Sequence, residues 1–264
     1  VFLAMTEWKH LRIDGLHKQF DRGPCVLRDI NLTVERGAFV CILGPSGSGK
    51  STLVDLIAGF ERPTAGRIAY DERPIIGPGP DRVVIFQDIS NALYPWLTAI
   101  ENVEFGLKKR LRSARERRRV AMEALRLVGL ERDAHKFPSE LSGGMKQRAQ
   151  IARGLVMKPE ILIMDEPFAA LDAITRRHLQ YELKRIWQQT GTTIIFVTHD
   201  ITEALILATD VAILTRGPDA TLKETFDPGL PLDATPGDAA FVAASRRIET
   251  LIDGHSDSQW RTVT

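Results

Sequence analysis

Residues 38–60 read AFVCILGPSGSGKSTLVDLIAGF. The run FVCIL from Phe39 is short, apolar and rich in β-branched residues, so it predicts a buried strand. GPSGSGKS at residues 44–51 follows at once and matches G-x-x-x-x-G-K-[ST] in full. STLVDLIAGF then opens a helix, with Gly59 as its stop. Each residue type in the loop has a chemical reason. Gly44, Gly47 and Gly49 let the backbone wrap an anion without Cβ clashes. Successive amides and the helix start face that anion. Pro45, Ser46 and Ser48 complete the wrap. Lys50 brings a positive charge to the β and γ phosphates of a nucleotide. The Ser51 hydroxyl suits Mg²⁺, which prefers oxygen, and Thr52 assists on the phosphate side.

ILIMDEP at residues 161–167 supplies a second half. Four apolar residues put Asp165 at the end of a buried strand, where a carboxylate holds Mg²⁺ through its water shell. Glu166 follows, on the other side of the strand end, and is placed to orient or deprotonate a water. A glycine-rich turn and a solvated carboxylate pair are the plain alternatives. Both motifs in one chain, in strand–loop–helix context, outweigh them. They read together as a phosphate-loop hydrolase of nucleoside triphosphates.

The rest of the chain bounds this reading. Its 264 residues carry a net charge of +1, which gives no case for nucleic acid as a partner. No apolar run approaches the roughly eighteen residues of a spanning helix, so a membrane role is expected to run through another subunit. The start, VFLAMTEW, lacks the basic opening of a signal peptide, and Met5 is read as the natural first residue. Cys25 and Cys41 lack metal-ligand spacing, and Cys41 reads as a buried free thiol.

Strand-like text (LRIDGLHKQF, LRDINLTVE) precedes the phosphate loop, and RIAYD and VVIFQ follow it. From about Thr98 to Lys158 the text is helical and charged. Ser113 and Glu116 make a capping box for a helix running to Leu130, with Gly129 near its end. The basic run LKKRLRSARERRRV reads as a solvated face, with lipid or partner contact as the functional alternative. Strands resume at ILIMDEP, TTIIFVTH and DVAILT, separated by helical text. Apolar strands alternating with helices predict an α/β fold whose largely parallel sheet is covered on both faces. After Gly217 the text is loop-like, and FVAASRRIETLIDG predicts a short helix.

LSGGMKQRAQIARGL from Leu141 lies just ahead of the Asp-Glu strand. SGG at a helix start is a second anion-binding nest in one chain. A head-to-tail dimer explains it: each nucleotide sits between one subunit's phosphate loop and the other's SGG turn. Here the chain resembles the ABC ATPase family, over roughly Leu11 to Arg216. The family's LSGGQ stands here as LSGGM, with Met145 in the last place. The resemblance implies nucleotide contacts from Ser142, Gly143 and Gly144. It implies that Gln87 is the Q-loop glutamine near Mg²⁺, and that Asp172, in Ala170-Leu171-Asp172, faces the partner subunit. His199 matches the switch histidine at the γ-phosphate, and Phe20 the aromatic that stacks on adenine.

The implied fold is a single ABC ATPase domain. It has a phosphate-loop core with a mixed, mainly parallel sheet, an inserted helical lobe and an N-terminal antiparallel β subdomain. The core lobe would cover about residues 8–87 and 159–216, the helical lobe about 88–158, and a tail 217–264. The implied activity is ATP hydrolysis with Mg²⁺ by a homodimer beneath integral membrane permease subunits, at the cytoplasmic face. GPGPDRVVIFQ, LYPWLTAIENVEFGLK and THDITEALILATDVAILTRGP resemble the nitrate/sulfonate/taurine/bicarbonate importer ATPases. A periplasmic or lipid-anchored solute-binding protein would then be an indirect partner. After Arg216 an acidic loop replaces the basic, Pro-rich pattern of that group.

Other classes share the signature. Chromosome-maintenance ATPases carry long coiled coils where only about ninety residues separate Lys50 from Ser142 here. Ribosome-acting relatives join two cassettes in one chain. Exporter or lipid-trafficking subunits differ only in the branch-level stretches. Glu166 and His199 speak against a non-enzymatic binding module.

Overall fold

The computed structural model describes residues 9–88, 92–231 and 233–253. Met5 and the tail beyond residue 253 lie outside the described residues. The chain divides into two units, residues 1–77 with 198–264, and residues 78–197. The first unit holds β1 (His10–Gln19), β2 (Cys25–Glu35), β3 (Phe39–Leu43), α1 (Lys50–Ala58), β4 (Ala65–Tyr70) and β5 (Arg73–Pro74). The second holds β6 (Arg82–Ile85), α2 (Ala99–Leu107), α3 (Ala114–Leu127), α4 (Gly143–Leu155), β7 (Ile161–Asp165) and α5 (Ala173–Thr190). β8 (Thr193–Thr198) carries the chain back to the first unit, which ends with α6 (Ile201–Leu207), β9 (Asp210–Leu214), β10 (Leu222–Phe226) and α7 (Ala239–Asp253).

Alternation builds the N-terminal antiparallel sheet, in the order β2-β1-β4-β5. Leu11 pairs with Val34 and Ile13 with Leu32, and all four side chains are buried on one face. β3 behaves differently. All five residues of FVCIL are buried, as expected of a strand covered on both faces. β9 runs parallel to β3, with Cys41 opposite Val211, and β10 adds an antiparallel edge to β9. In the second unit β6, β7 and β8 run parallel, with Val84 opposite Ile163 and Met164 opposite Phe196. The sheet pairing is therefore mixed and mainly parallel, as expected.

Local signals act where the residues put them. Gly59 ends α1 at φ 80°, and its N–H returns to the carbonyls of Asp55 and Leu56. α3 starts at Ser113, whose Oγ accepts from the Glu116 N–H at 3.3 Å. That helix stops at Leu127 rather than Leu130. Gly129 takes φ 68° and the Leu130 N–H turns back to Leu125, so the glycine ends the helix earlier than periodicity suggests. A full capping box stands instead at Thr98 and Glu101, at the start of α2.

The tail also departs from its reading. LKETF, read as loop, is strand β10, with Thr225 opposite Ala212 and Phe226 opposite Val211. α7 covers it: the Arg247 guanidinium lies 4.0 Å from the Phe226 ring centroid and pairs with Glu224. Cys41 is buried, and burial first, then the Glu203 charge, pushes its thiol pKa well up. Among the described residues no helix is long and apolar enough to cross a membrane.

Gly66 locks the N-terminal sheet. It sits at φ 80°, and a Cβ there would lie 2.1 Å from the Gly15 carbonyl oxygen. Gly66→Ala is expected to lower stability by about 1–3 kcal/mol. An unchanged urea midpoint would show that β1 yields there at no cost.

Candidate functional site

In the first unit, β3 ends at Leu43 and α1 begins at Lys50, so residues 44–49 are the turn between them. Gly47 and Gly49 take φ 78° and 82°, which only glycine adopts freely. Gly49 has a second constraint: a Cβ would meet Leu27 Cδ2 at 2.9 Å. Ser46, Gly47 and Ser51 are exposed, whereas Pro45, Gly49 and Thr52 are half-buried. Ser48 is fully buried, and its Oγ has no hydrogen-bond partner among the described residues. Any contact of Ser48 with an anion therefore runs through its backbone. Lys50 is 6% exposed, and its Nζ donates to the carbonyls of Gly44 (2.8 Å) and Pro45 (3.0 Å).

Two more expected residues lie in this unit. Phe20 is 43% exposed, and Lys18 Nζ sits 4.4 Å from its ring centroid. Lys18 is itself buried and held by Glu61 Oε2 at 2.8 Å and the Arg62 carbonyl at 2.9 Å. Reading by motif missed this lysine, because its partners lie more than forty residues away in the chain. His199 is exposed, between the end of β8 and Asp200, the N-cap of α6. Gly217, where the sequence signal fades, was also missed. A Cβ on it would lie 2.6 Å from the Gly47 carbonyl oxygen, so it supports the turn directly.

The second unit carries the remaining residues. Gln87 is exposed, two residues past the end of β6. Asp165 ends β7 and is half-buried, as is Glu166. Glu166 takes φ 44°, a left-handed conformation that costs a side-chain-bearing residue about 1–2 kcal/mol. Its N–H donates to the Val197 carbonyl at 3.0 Å, and its carbonyl accepts from Ala169 at 3.2 Å. Ser142 caps α4, accepting from the Met145 N–H at 3.3 Å. Asp172 caps α5, accepting from the Thr175 N–H at 3.0 Å. That backbone bond, then the Thr175 side chain, holds its carboxyl below the usual range.

These two helix starts come together. A Cβ on Gly143 would lie 3.4 Å from Leu171, and one on Gly144 only 2.7 Å from Thr175 Cγ2. Ser142 and Gly143 are exposed, while Gly144 is buried. The second glycine of SGG thus has a packing reason, distinct from any ligand. A pocket of about 560 Å³ also lies in this unit, lined by Phe86, Tyr94, Phe105, Arg153 and Met157 among others. Tyr94 packs at a tilt against Phe105 (4.7 Å between ring centroids) and Trp96 (5.5 Å), and Trp96 is 69% exposed.

The donor set fits a magnesium nucleotide. The turn offers glycines at positive φ, a helix start, an ammonium and an exposed hydroxyl. Among the described residues no three His, Cys, Asp or Glu side chains cluster as a metal site. Mg²⁺ bound through phosphate oxygens and water needs only one or two protein oxygens, and in the first unit the exposed Ser51 hydroxyl is one such group.

The sequence profile of the family described as ABC transporter matches residues 27–169. The nitrate import ATP-binding protein NrtD of Synechococcus elongatus is 48% identical over 228 residues, covering 84% of this chain and 82% of that protein. The taurine import ATP-binding protein TauB of Yersinia pestis is 42% identical over 248 residues, covering 91% and 95%. Among solved structures, cbiO1 from Clostridium perfringens superposes with a TM-score of 0.76 at 31% identity, covering 84% of this chain and 90% of that one. The ATP-binding cassette MJ0796, dimeric in a post-hydrolysis state bound to ADP and Pi, gives 0.69 at 33% identity, covering 85% and 100%.

The packing reason for Gly144 is testable. Gly144→Ala is expected to destabilise by about 1–3 kcal/mol, with most of the loss recovered when Thr175→Ser removes the opposing methyl. Urea melts of the single and double variants measure it. A double variant no more stable than the single one would move the constraint away from Thr175.

Proposed function

Because the chain belongs to the ABC transporter family, we propose that it is the ATP-hydrolysing subunit of an importer for a small anionic solute. It works as a head-to-tail homodimer on integral membrane permease subunits. The observation that carries the solute class is the 42–48% identity to ATP-binding proteins for nitrate, bicarbonate and taurine uptake. The chain acts at the cytoplasmic face, and a periplasmic or lipid-anchored binding protein delivers the solute to the permease. Core lobe 8–87 with 159–216, helical lobe 88–158 and tail 217–264 form one ATPase domain.

Each residue then has a task. Residues 44–52 hold the triphosphate, all but Pro45 offering a backbone N–H, with Lys50 neutralising its outer phosphates. Phe20 receives the adenine on its exposed ring. Ser51, Asp165 and Gln87 would hold Mg²⁺, directly or through water, and the bound ion would screen charge on the transferring phosphoryl group. Glu166 orients the attacking water and takes its proton. His199 contacts the γ-phosphate.

Ser142, Gly143 and Gly144 close on the nucleotide of the second subunit. Ser142 uses a lone pair on Met145, which leaves its hydroxyl proton for a phosphate oxygen. Met145 serves through that backbone N–H, so LSGGM keeps the contact. Asp172 accepts only, so it meets donors of the partner subunit rather than phosphate. The aromatic pocket beside Trp96 is the permease contact, since exposed rings anchor interfaces.

Purification from gently solubilised native membranes, with mass spectrometry of what accompanies the chain, tests the assignment. A permease plus a solute-binding protein is expected; a permease alone would point to export, and no membrane protein would end the transporter reading. Glu166→Gln is expected to cut turnover by about a hundredfold or more while ATP still binds. Normal turnover in that variant would remove Glu166 from the role of base.

A further inference from the structure

His199 stands in a turn that is tied down on both sides. The Asp200 N–H donates to Thr198 Oγ1 at 3.0 Å, and the Thr198 hydroxyl in turn donates to Glu203 Oε2. From the helix side, Asp200 Oδ1 accepts from the N–H groups of Thr202 (2.8 Å) and Glu203 (3.1 Å). A threonine hydroxyl has one proton and two lone pairs. Giving the proton to Glu203 directs a lone pair to the Asp200 N–H. The acceptor on Glu203 thereby sets the backbone on the far side of His199.

The burial pattern singles out the same residue. Glu203 is 5% exposed and Thr198 1%, yet His199 between them is exposed. α6 packs on β3, and the Glu203 charge reaches Cys41, three residues ahead of Gly44. A carboxylate is rarely buried unless its bonds are needed. A leucine would fill a core position here without that cost. Neither Glu203 nor Thr198 touches substrate in the mechanism above.

We propose that Glu203, acting through Thr198, is a positioning residue for His199. It holds the imidazole at a constant place relative to the strand that delivers the phosphate loop. The proposal rests on the reading of His199 as the γ-phosphate contact. Misplacing such a group by a fraction of an ångström slows chemistry more than it weakens binding.

The test compares basal ATP turnover and ATP affinity of the purified chain with those of variants shown by urea melts to be folded. Thr198→Val and Glu203→Leu are expected to lower kcat by about tenfold or more. ATP affinity should move by less than about threefold. Thr198→Ser and Glu203→Gln keep a hydroxyl and an acceptor and should recover most of the rate. In a His199→Ala background, Thr198→Val should cost nothing further. If Glu203→Leu does not fold, the Val and Ser variants at Thr198 carry the comparison alone. Wild-type kcat in folded Thr198→Val, or an equal loss with and without His199, would overturn the proposal. Full turnover in His199→Ala would remove the role of His199 itself, and the proposal with it.

Discussion

Between Leu43 and Lys50 the backbone must leave a strand covered on both faces, wrap an anion and start a helix. Side chains have almost no room at its two ends. A Cβ at Gly44 would meet Ser48 Oγ at 2.9 Å and the Leu214 carbonyl at 3.0 Å, and one at Gly49 would press on Leu27 and Val26. The turn is therefore clamped by β2, by the end of β9 and, through Gly217, by the first residue of the tail. Preorganised amides stabilise charge because they need not reorganise when the charge arrives. The packing around the turn is what keeps them so.

The second unit meets a similar demand with caps. Ser142 and Asp172 each satisfy a first-turn amide of their own helix, and the close approach of Gly143 to Leu171 sets the two helix starts side by side. One surface then presents two kinds of group. Ser142 retains a proton to donate, whereas Asp172, its carboxyl held below the usual range, accepts only. That difference suits the role proposed for this face, which meets a phosphate and protein donors of a second copy.

Much of this was legible in the residues. β3, the phosphate turn, α1 with Gly59, β7 and the start of α4 all combine an apolar run with a local motif. Each is decided within about ten residues of chain. Most of the misses have a different cause. β10 hides behind Lys223 and Glu224, and is a strand because β9 offers an edge and Arg247 covers it. α3 is shorter than its periodicity because Gly129 can take a left-handed turn and does. Lys18 beneath Phe20 and Gly217 against Gly47 depend on where the fold brings residues together. Motif spacing carries no trace of such contacts.

Six described residues other than glycine have positive φ, and four of them are aspartates, which tolerate that conformation through local hydrogen bonds. Glu166 has no such allowance and stands at the end of a strand four of whose residues are fully buried. Glycine or asparagine would relax the backbone there, so selection for thermal robustness alone runs against this side chain. A library of variants ranked by heat resistance would drift away from glutamate at this position, and with it lose the base proposed for Glu166. On the role proposed for Glu166, the backbone angle there sets durability against chemistry.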